Sequence, residues 1–234
     1  MSAIYKGTLA NSVDVQYTVQ KLSILDLPEI LSIQKRVVAS MEKQGVLQPL
    51  SEQEYQYILQ GNGMMIGAFV EEELIAFRAL LIPKLDDPEH LGFDIGLTRA
   101  ELPSVIYQEI SNVLPKYRGN GLQKKLAQLI MEEFGKEAHE FRYVCTTVAP
   151  FNIPSLKDKF AQGMRIAALK EKYGGQLRYT FVKDRQEAKR PVWKESILID
   201  MGDIAAQQEK LNQGWRGIQM LRQNDDSIVV EYCK

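Results

Sequence analysis

A run of β-type residues passes into an amphipathic helix through a basic turn carrying two glycines, and this junction limits what the chain can be more than any other feature. Residues 105–113 are rich in β-branched and aromatic side chains, and after the turn Leu122, Leu126, Leu129, Ile130 and Phe134 recur at helical spacing up to Gly135. The turn therefore lies at a helix start. There the first backbone N–H groups have no internal partner and carry the positive end of the helix dipole, so a bound anion satisfies them. Gly119 and Gly121 let the backbone come close to such an anion. Arg118, Lys124 and Lys125 crowd the helix end where the dipole least favours cations, a conflict that an anionic ligand removes.

Two familiar phosphate motifs are excluded by inspection. A P-loop requires Gly-x-x-x-x-Gly-Lys-Ser/Thr, which does not occur, and a dinucleotide fingerprint requires a glycine where this chain has Lys124. Composition narrows the field further. With 234 residues, 45% hydrophobic and 25% charged, the chain can bury a substantial core and is not a disordered polymer. A net charge of −1 gives no sign of a nucleic-acid or membrane partner. Cys145 and Cys233 are the only cysteines and His90 and His139 the only histidines, so no metal site and no Ser-His-Asp triad is expected. No run reaches the length of a membrane span and the N-terminus has no charged-then-apolar leader, which makes a cytoplasmic chain the expectation.

The order of elements follows from periodicity and caps. Residues 13–22 alternate as a strand, and Asp26-Leu27-Pro28 opens a helix with Leu27, Ile30, Leu31, Val37, Val38 and Met41 as its apolar stripe. Ser51 and Glu54 form a capping box for a second helix, with Leu50 and Tyr55 as a hydrophobic staple. Residues 64–70 and 74–82 read as two strands around Glu71-Glu72-Glu73. Residues 83–104 then show no periodicity and read as a long acidic loop, a lid in one reading and a solvated surface in the other.

Past the junction, residues 141–148 read as a strand, Asn152 caps a short helix ending at Gly163, and residues 166–173 and 176–183 form a hairpin across Gly174-Gly175. A polar linker over 185–192 leads to a strand, a helix capped by Asp203 and a final hairpin. The division expected is a domain over 1–184 and a β-α-β-β extension over 185–234.

The junction reads Arg118-x-x-Gly121-x-Gln123, preceded by Val113-x-Pro115, and resembles the acyl-CoA signature of the GNAT superfamily of N-acyltransferases. Gln123 stands where that signature usually has Gly or Ala. Asn152, Ser155 and Gly163 match the family's second segment, with Lys159 where a tyrosine is frequent. The resemblance covers roughly residues 13–184. It implies an α+β fold of three layers, a mostly antiparallel central sheet flanked by helices, with acetyl-CoA as cosubstrate and a small amine or a peptide as acceptor. The coenzyme would be held by Val113, Leu114, Arg118, Gly119, Asn120, Gly121, Leu122, Gln123, Asn152 and Ser155. Backbone groups near Val113 and Leu114 would hold the pantetheine arm and face the thioester as an oxyanion hole.

A protonated alkyl amine, with a pKa of about 10, must lose its proton before it attacks. Glu109 is the candidate base: strand alternation places it on one face with Tyr107, Ser111 and Val113, and burial would have to raise its pKa. Ser155 and Lys159 are the candidates to assist the departing thiolate. The acceptor is unassigned by the sequence. The extension can pack on the sheet, form the edge of a homodimer or wall the acceptor pocket. A coenzyme A binding module without transfer chemistry stays open as the second reading, motivated by Gln123 and the absent tyrosine.

Overall fold

The computed structural model describes residues 3–41, 47–137, 140–187 and 191–234; His139 and part of the 185–192 linker lie outside them. In chain order the strands and helices are β1 (Tyr5–Leu9), β2 (Ser12–Lys21), α1 (Leu27–Ala39), α2 (Glu52–Leu59), β3 (Gly63–Val70), β4 (Glu73–Leu81), α3 (Leu91–Asp94), β5 (Val105–Val113) and α4 (Leu122–Glu137). There follow β6 (Tyr143–Val148), α5 (Ile153–Ala161), β7 (Arg165–Lys172), β8 (Gln176–Asp184), β9 (Ser196–Asp200), α6 (Ile204–Asn212), β10 (Arg216–Arg222) and β11 (Ile228–Cys233). This is a mixed α/β architecture of mostly antiparallel sheet flanked by helices. The chain divides into two compact units, residues 1–82 with 107–140 and residues 83–106 with 141–234. The expected extension over 185–234 lies within the second unit. The last strands join residues 141–184 because β10 pairs with β7 through Gly217 and Ile166.

In the first unit the strands lie in the order β1-β2-β3-β4-β5, neighbours antiparallel. Helix α2 starts where the capping box places it: Glu54 N–H donates to Ser51 Oγ at 3.3 Å and Ser51 N–H to Glu54 Oε2 at 2.7 Å. Leu50 and Tyr55 are both buried beside it. Helix α1 buries Leu27, Ile30, Ile33 and Val37, whereas Val38 is exposed, so its stripe is rotated from the expected one. Helices lie on both faces of this sheet, as two consecutive residues of β4 show. Phe77 meets Tyr55 of α2 edge to face with ring centroids 5.9 Å apart, and Arg78 points the other way and donates to the Gln123 carbonyl of α4 at 3.3 Å.

In the second unit the order is β6-β8-β7-β10-β11-β9. The Gly174-Gly175 hairpin joins β7 and β8 as expected, both glycines at positive φ. Residues 83–104 are not one irregular loop. They hold α3 and a 3-10 turn over Arg99–Ser104 that bury Leu91 and Leu102. Asp94 is pinned by Lys170 and Lys172, each at 3.0 Å, and by the Thr180 hydroxyl at 3.0 Å, while Glu89 pairs with Lys172 and Glu101 caps at Thr98. Asp94 is committed to internal partners, while Glu89 and Glu101 hold theirs from the exposed surface, so the segment is ordered with part of its acidity displayed.

A buried amide adds a further tie between the extension and β8. Gln207 is 0% exposed; its Oε1 accepts from Tyr179 Oη of β8 at 2.6 Å and from Tyr232 Oη of β11 at 2.8 Å, and its Nε2 donates to the Met201 carbonyl at 2.8 Å.

Candidate active site

The junction between β5 and α4 forms as a strand, a 3-10 turn over Pro115–Tyr117 and a helix beginning at Leu122. Gly119 has φ 81° and Gly121 φ 70°, conformations that L side chains adopt only at a cost, so both glycines are required by geometry. Gly121 precedes the first helical residue, and its carbonyl accepts from Lys125 N–H at 3.0 Å, which makes it the N-cap. A Cβ at Gly121 would meet no atom within 4 Å, so the space above this helix start is open to a ligand. Asn120 braces the turn, donating from Nδ2 to the Tyr117 carbonyl at 3.0 Å and accepting from Asn11 N–H at 2.8 Å. Leu122 is buried beneath the turn.

The three cations of the junction have different settings. Arg118 Nη2 donates to Ser40 Oγ at 2.9 Å, tying the turn to the end of α1. Lys125 Nζ lies 4.7 Å from the centre of the Tyr5 ring, and Lys124 is exposed. Beside the turn a cleft of about 810 Å³ is lined by Lys116, Tyr117 and Asn120 together with Glu71, Glu72 and Glu73.

Arg78 is a residue that periodicity does not reveal. Only 1% exposed, it donates from Nη2 to Gln108 Oε1 at 2.6 Å and from Nη1 to the Gln123 carbonyl, holding the first turn of α4 down on the sheet. Gln123, the departure from the signature, is thus the residue whose backbone the buried arginine grips.

At the end of β5 the Leu114 N–H donates to the Ile75 carbonyl at 3.0 Å and the Leu114 carbonyl accepts from Tyr117 N–H at 2.9 Å. Leu114 is therefore no oxyanion donor, a correction to the pair expected at 113 and 114. In an antiparallel ladder this bond makes Val113 and Ala76 a non-hydrogen-bonded pair, so the Val113 N–H and C=O point away from β4 toward the other edge of β5.

Glu109 sits on a β-bulge. Ala79 pairs with Ile110 and Leu80 with Gln108, leaving Glu109 without an opposite residue. The bulge breaks the alternation assumed for this strand. Tyr107, Ile110 and Asn112 lie on the face of Phe77, toward α2, while Gln108, Ser111 and Val113 lie on the face of Arg78, toward α4. Ser111 and Val113 thus move to the opposite face from Tyr107, and Asn112 takes their place. Glu109 is close enough to Glu54 and Tyr55 of α2 to interact electrostatically with both. Burial first and the Glu54 carboxylate second push its pKa up to about 7. Tyr55 itself stays a phenol, raised by burial, and donates to Gln34 Oε1 at 2.6 Å.

Asn152, Ser155 and Lys159 fall in the second unit. Asn152 caps α5, its Oδ1 accepting from Ser155 N–H at 3.4 Å, with Pro154 in the first turn. Its Nδ2 and the Ser155 hydroxyl are the polar groups this turn offers beyond the cap. Lys159 is 7% exposed and its Nζ lies 3.2 Å from Asp158 Oδ2, a buried ion pair rather than a mobile surface amine.

No family model matches the sequence, and no curated protein matches it. Solved structures do resemble it. The ribosomal-protein-S18-alanine N-acetyltransferase from Escherichia coli superposes with TM-score 0.54 at 15% identity, covering 76% of this chain and 99% of the other. An acetyltransferase of the GNAT family from Streptococcus pneumoniae gives 0.54 at 14% identity over 72% and 99%. The protein yncA from Salmonella typhimurium, solved with its cofactor acetyl-CoA, gives 0.55 at 14% over 75% and 98%. The chain thus shares the fold of the GNAT N-acetyltransferases.

Proposed function

We propose that the chain is an acetyl-CoA-dependent N-acetyltransferase that carries an acetyl group directly to the primary amine of a small molecule or peptide, both substrates being bound together. The observation that carries this reading is the β5–α4 junction, where two positive-φ glycines open a helix N-terminus and the Val113 backbone faces away from β4. The N–H groups of residues 119–124 would hold the diphosphate, and the Val113 backbone would hold the pantetheine arm as an added strand. Bound acetyl-CoA supplies an activated acyl carbonyl and a thiolate leaving group. Val113 N–H would donate toward the developing oxyanion. Glu109, poised near neutrality, would accept a proton from the acceptor ammonium through intervening water. Asn152 and Ser155 are retained as coenzyme contacts of the second segment. The solved structures with the same fold, one a ribosomal-protein-S18-alanine N-acetyltransferase and one solved with acetyl-CoA, support the reading.

The buried Lys159–Asp158 pair favours a second reading in one respect, because Lys159 is not a free proton donor for the thiolate. A coenzyme A binding module without transfer would then remain. Calorimetric titration with acetyl-CoA tests the site, and thiol release dependent on an added amine tests the reaction. Saturable binding without release across amines and peptide N-termini selects the second reading, and absence of any binding refutes both.

A further inference from the structure

Asn112 is 1% exposed, and among the described residues neither its Nδ2 nor its Oδ1 has a hydrogen-bond partner. A buried side-chain amide with both groups unmatched is costly, and native chains rarely keep one without a use for it. Apolar residues of similar volume would pack in the same place. Its position says what the use is. The bulge at Glu109 shifts the register so that Asn112, opposite Phe77, lies on the α2-facing side of the sheet with Tyr107 and Ile110. That is the side of α2, whose Glu54 and Tyr55 interact electrostatically with Glu109, and it is opposite the side where Arg78 holds α4 and the phosphate turn.

We propose that Asn112 reads the backbone of a peptide acceptor, donating from Nδ2 to a peptide C=O and accepting at Oδ1 from a peptide N–H. The inference rests on the transferase reading above and names its substrate class. An asparagine amide presents one donor and one acceptor side by side, and one residue of an extended peptide presents its N–H and C=O on the same side. Glu109 and Asn112 are three positions apart, roughly 10 Å along a strand and somewhat less across a bulge. The reacting amine has to reach the acyl carbon beside Val113, next to Asn112, with Glu109 taking its proton through water, so the backbone groups read by Asn112 are those of the second residue of the acceptor. A simple alkylamine has nothing to offer there. Because both atoms are closed to water, neighbouring side chains on that face give way when the peptide enters.

The test compares wild type with Asn112→Leu, an apolar side chain of similar size, using a free-N-terminus tripeptide amide and n-hexylamine as acceptors. Wild type is expected to prefer the tripeptide, and the variant to lose about tenfold to a hundredfold in kcat/KM for it, with hexylamine turnover and coenzyme A affinity unchanged. A substrate-side control keeps the inference open to refutation if the variant does not fold: an ester in place of the first amide bond should cost wild type a similar factor. A drop in coenzyme A affinity at an unchanged tripeptide-to-hexylamine ratio assigns the amide to the pantetheine arm and overturns the inference. So does an unchanged tripeptide kcat/KM, or a wild type that binds coenzyme A yet transfers to no tripeptide. Failure of wild type to bind any coenzyme A species is a separate result, which removes the transferase reading and this inference together.

Discussion

Replacing Glu109 by Gln should make the protein more stable and less active, each with its own pH dependence. Unfolded, the carboxyl releases its proton near 4.5; folded, burial and Glu54 hold the proton until about 7. Between those values the folded chain binds more protons than the unfolded one, so raising the pH draws the equilibrium toward unfolding. The penalty is absent below 4.5, accumulates through the window and is constant above about 7, where it amounts to about 3 kcal/mol. Gln has the shape of the protonated acid and does not titrate. The stability difference between E109Q and wild type should therefore be near zero at pH 4.5 and grow to about 3 kcal/mol at pH 8, read from urea unfolding followed by circular dichroism. Turnover should move the opposite way: wild-type activity rises through pH 7 as the base ionises, and E109Q loses that rise and about a hundredfold or more of the rate above it. An E109Q stability difference that is the same at both pH values refutes the buried-carboxyl reasoning, and an unchanged pH–rate profile removes Glu109 from the reaction.

Gly121→Val should lower coenzyme A affinity tenfold or more by calorimetry, since Gly121 has φ 70° and caps the helix start; the backbone strain should cost about 1–2 kcal/mol of stability. Unchanged affinity would place the coenzyme elsewhere. Arg78→Met should cost about 3 kcal/mol in urea unfolding, because Gln108 Oε1 and the Gln123 carbonyl lose a charged donor; a cost below about 0.5 kcal/mol would show that the first turn of α4 needs no such tie. Gln207→Leu should cost about 2–4 kcal/mol, as the Tyr179 and Tyr232 hydroxyls are left without their shared acceptor. An unfolding curve matching wild type would remove that network from the accounting of stability.

What could be read from the chain alone was whatever is written within a few residues. The Ser51–Glu54 box, the Asn152 cap, the Gly174-Gly175 hairpin and the glycine turn leading into the helix at Leu122 depend on local backbone geometry, and the structure has each of them. What escaped depends on which distant strand lies alongside. The bulge at Glu109 exists only relative to β4, so alternation counted along β5 put Ser111 and Val113 on the wrong face and passed over Asn112. Leu114 lost its N–H to Ile75, nearly forty positions earlier. Arg78 sits in a run of apolar residues where an arginine suggests an exposed edge; its burial makes sense only once Gln108 and Gln123 are brought to it. Residues 83–104 lack a helical period because their elements are one or two turns long.

The amide of Gln207 bears on how this protein can change over generations. One oxygen serves a tyrosine of β8 and a tyrosine of the final strand, while the nitrogen is spent on carbonyls of the β9–α6 turn. A chain without its last fifty residues would therefore leave the Tyr179 hydroxyl without its acceptor, so a change at position 179 is expected to accompany loss of the tail. Descendants carrying this tail should show the two tyrosines and the glutamine inherited as a set.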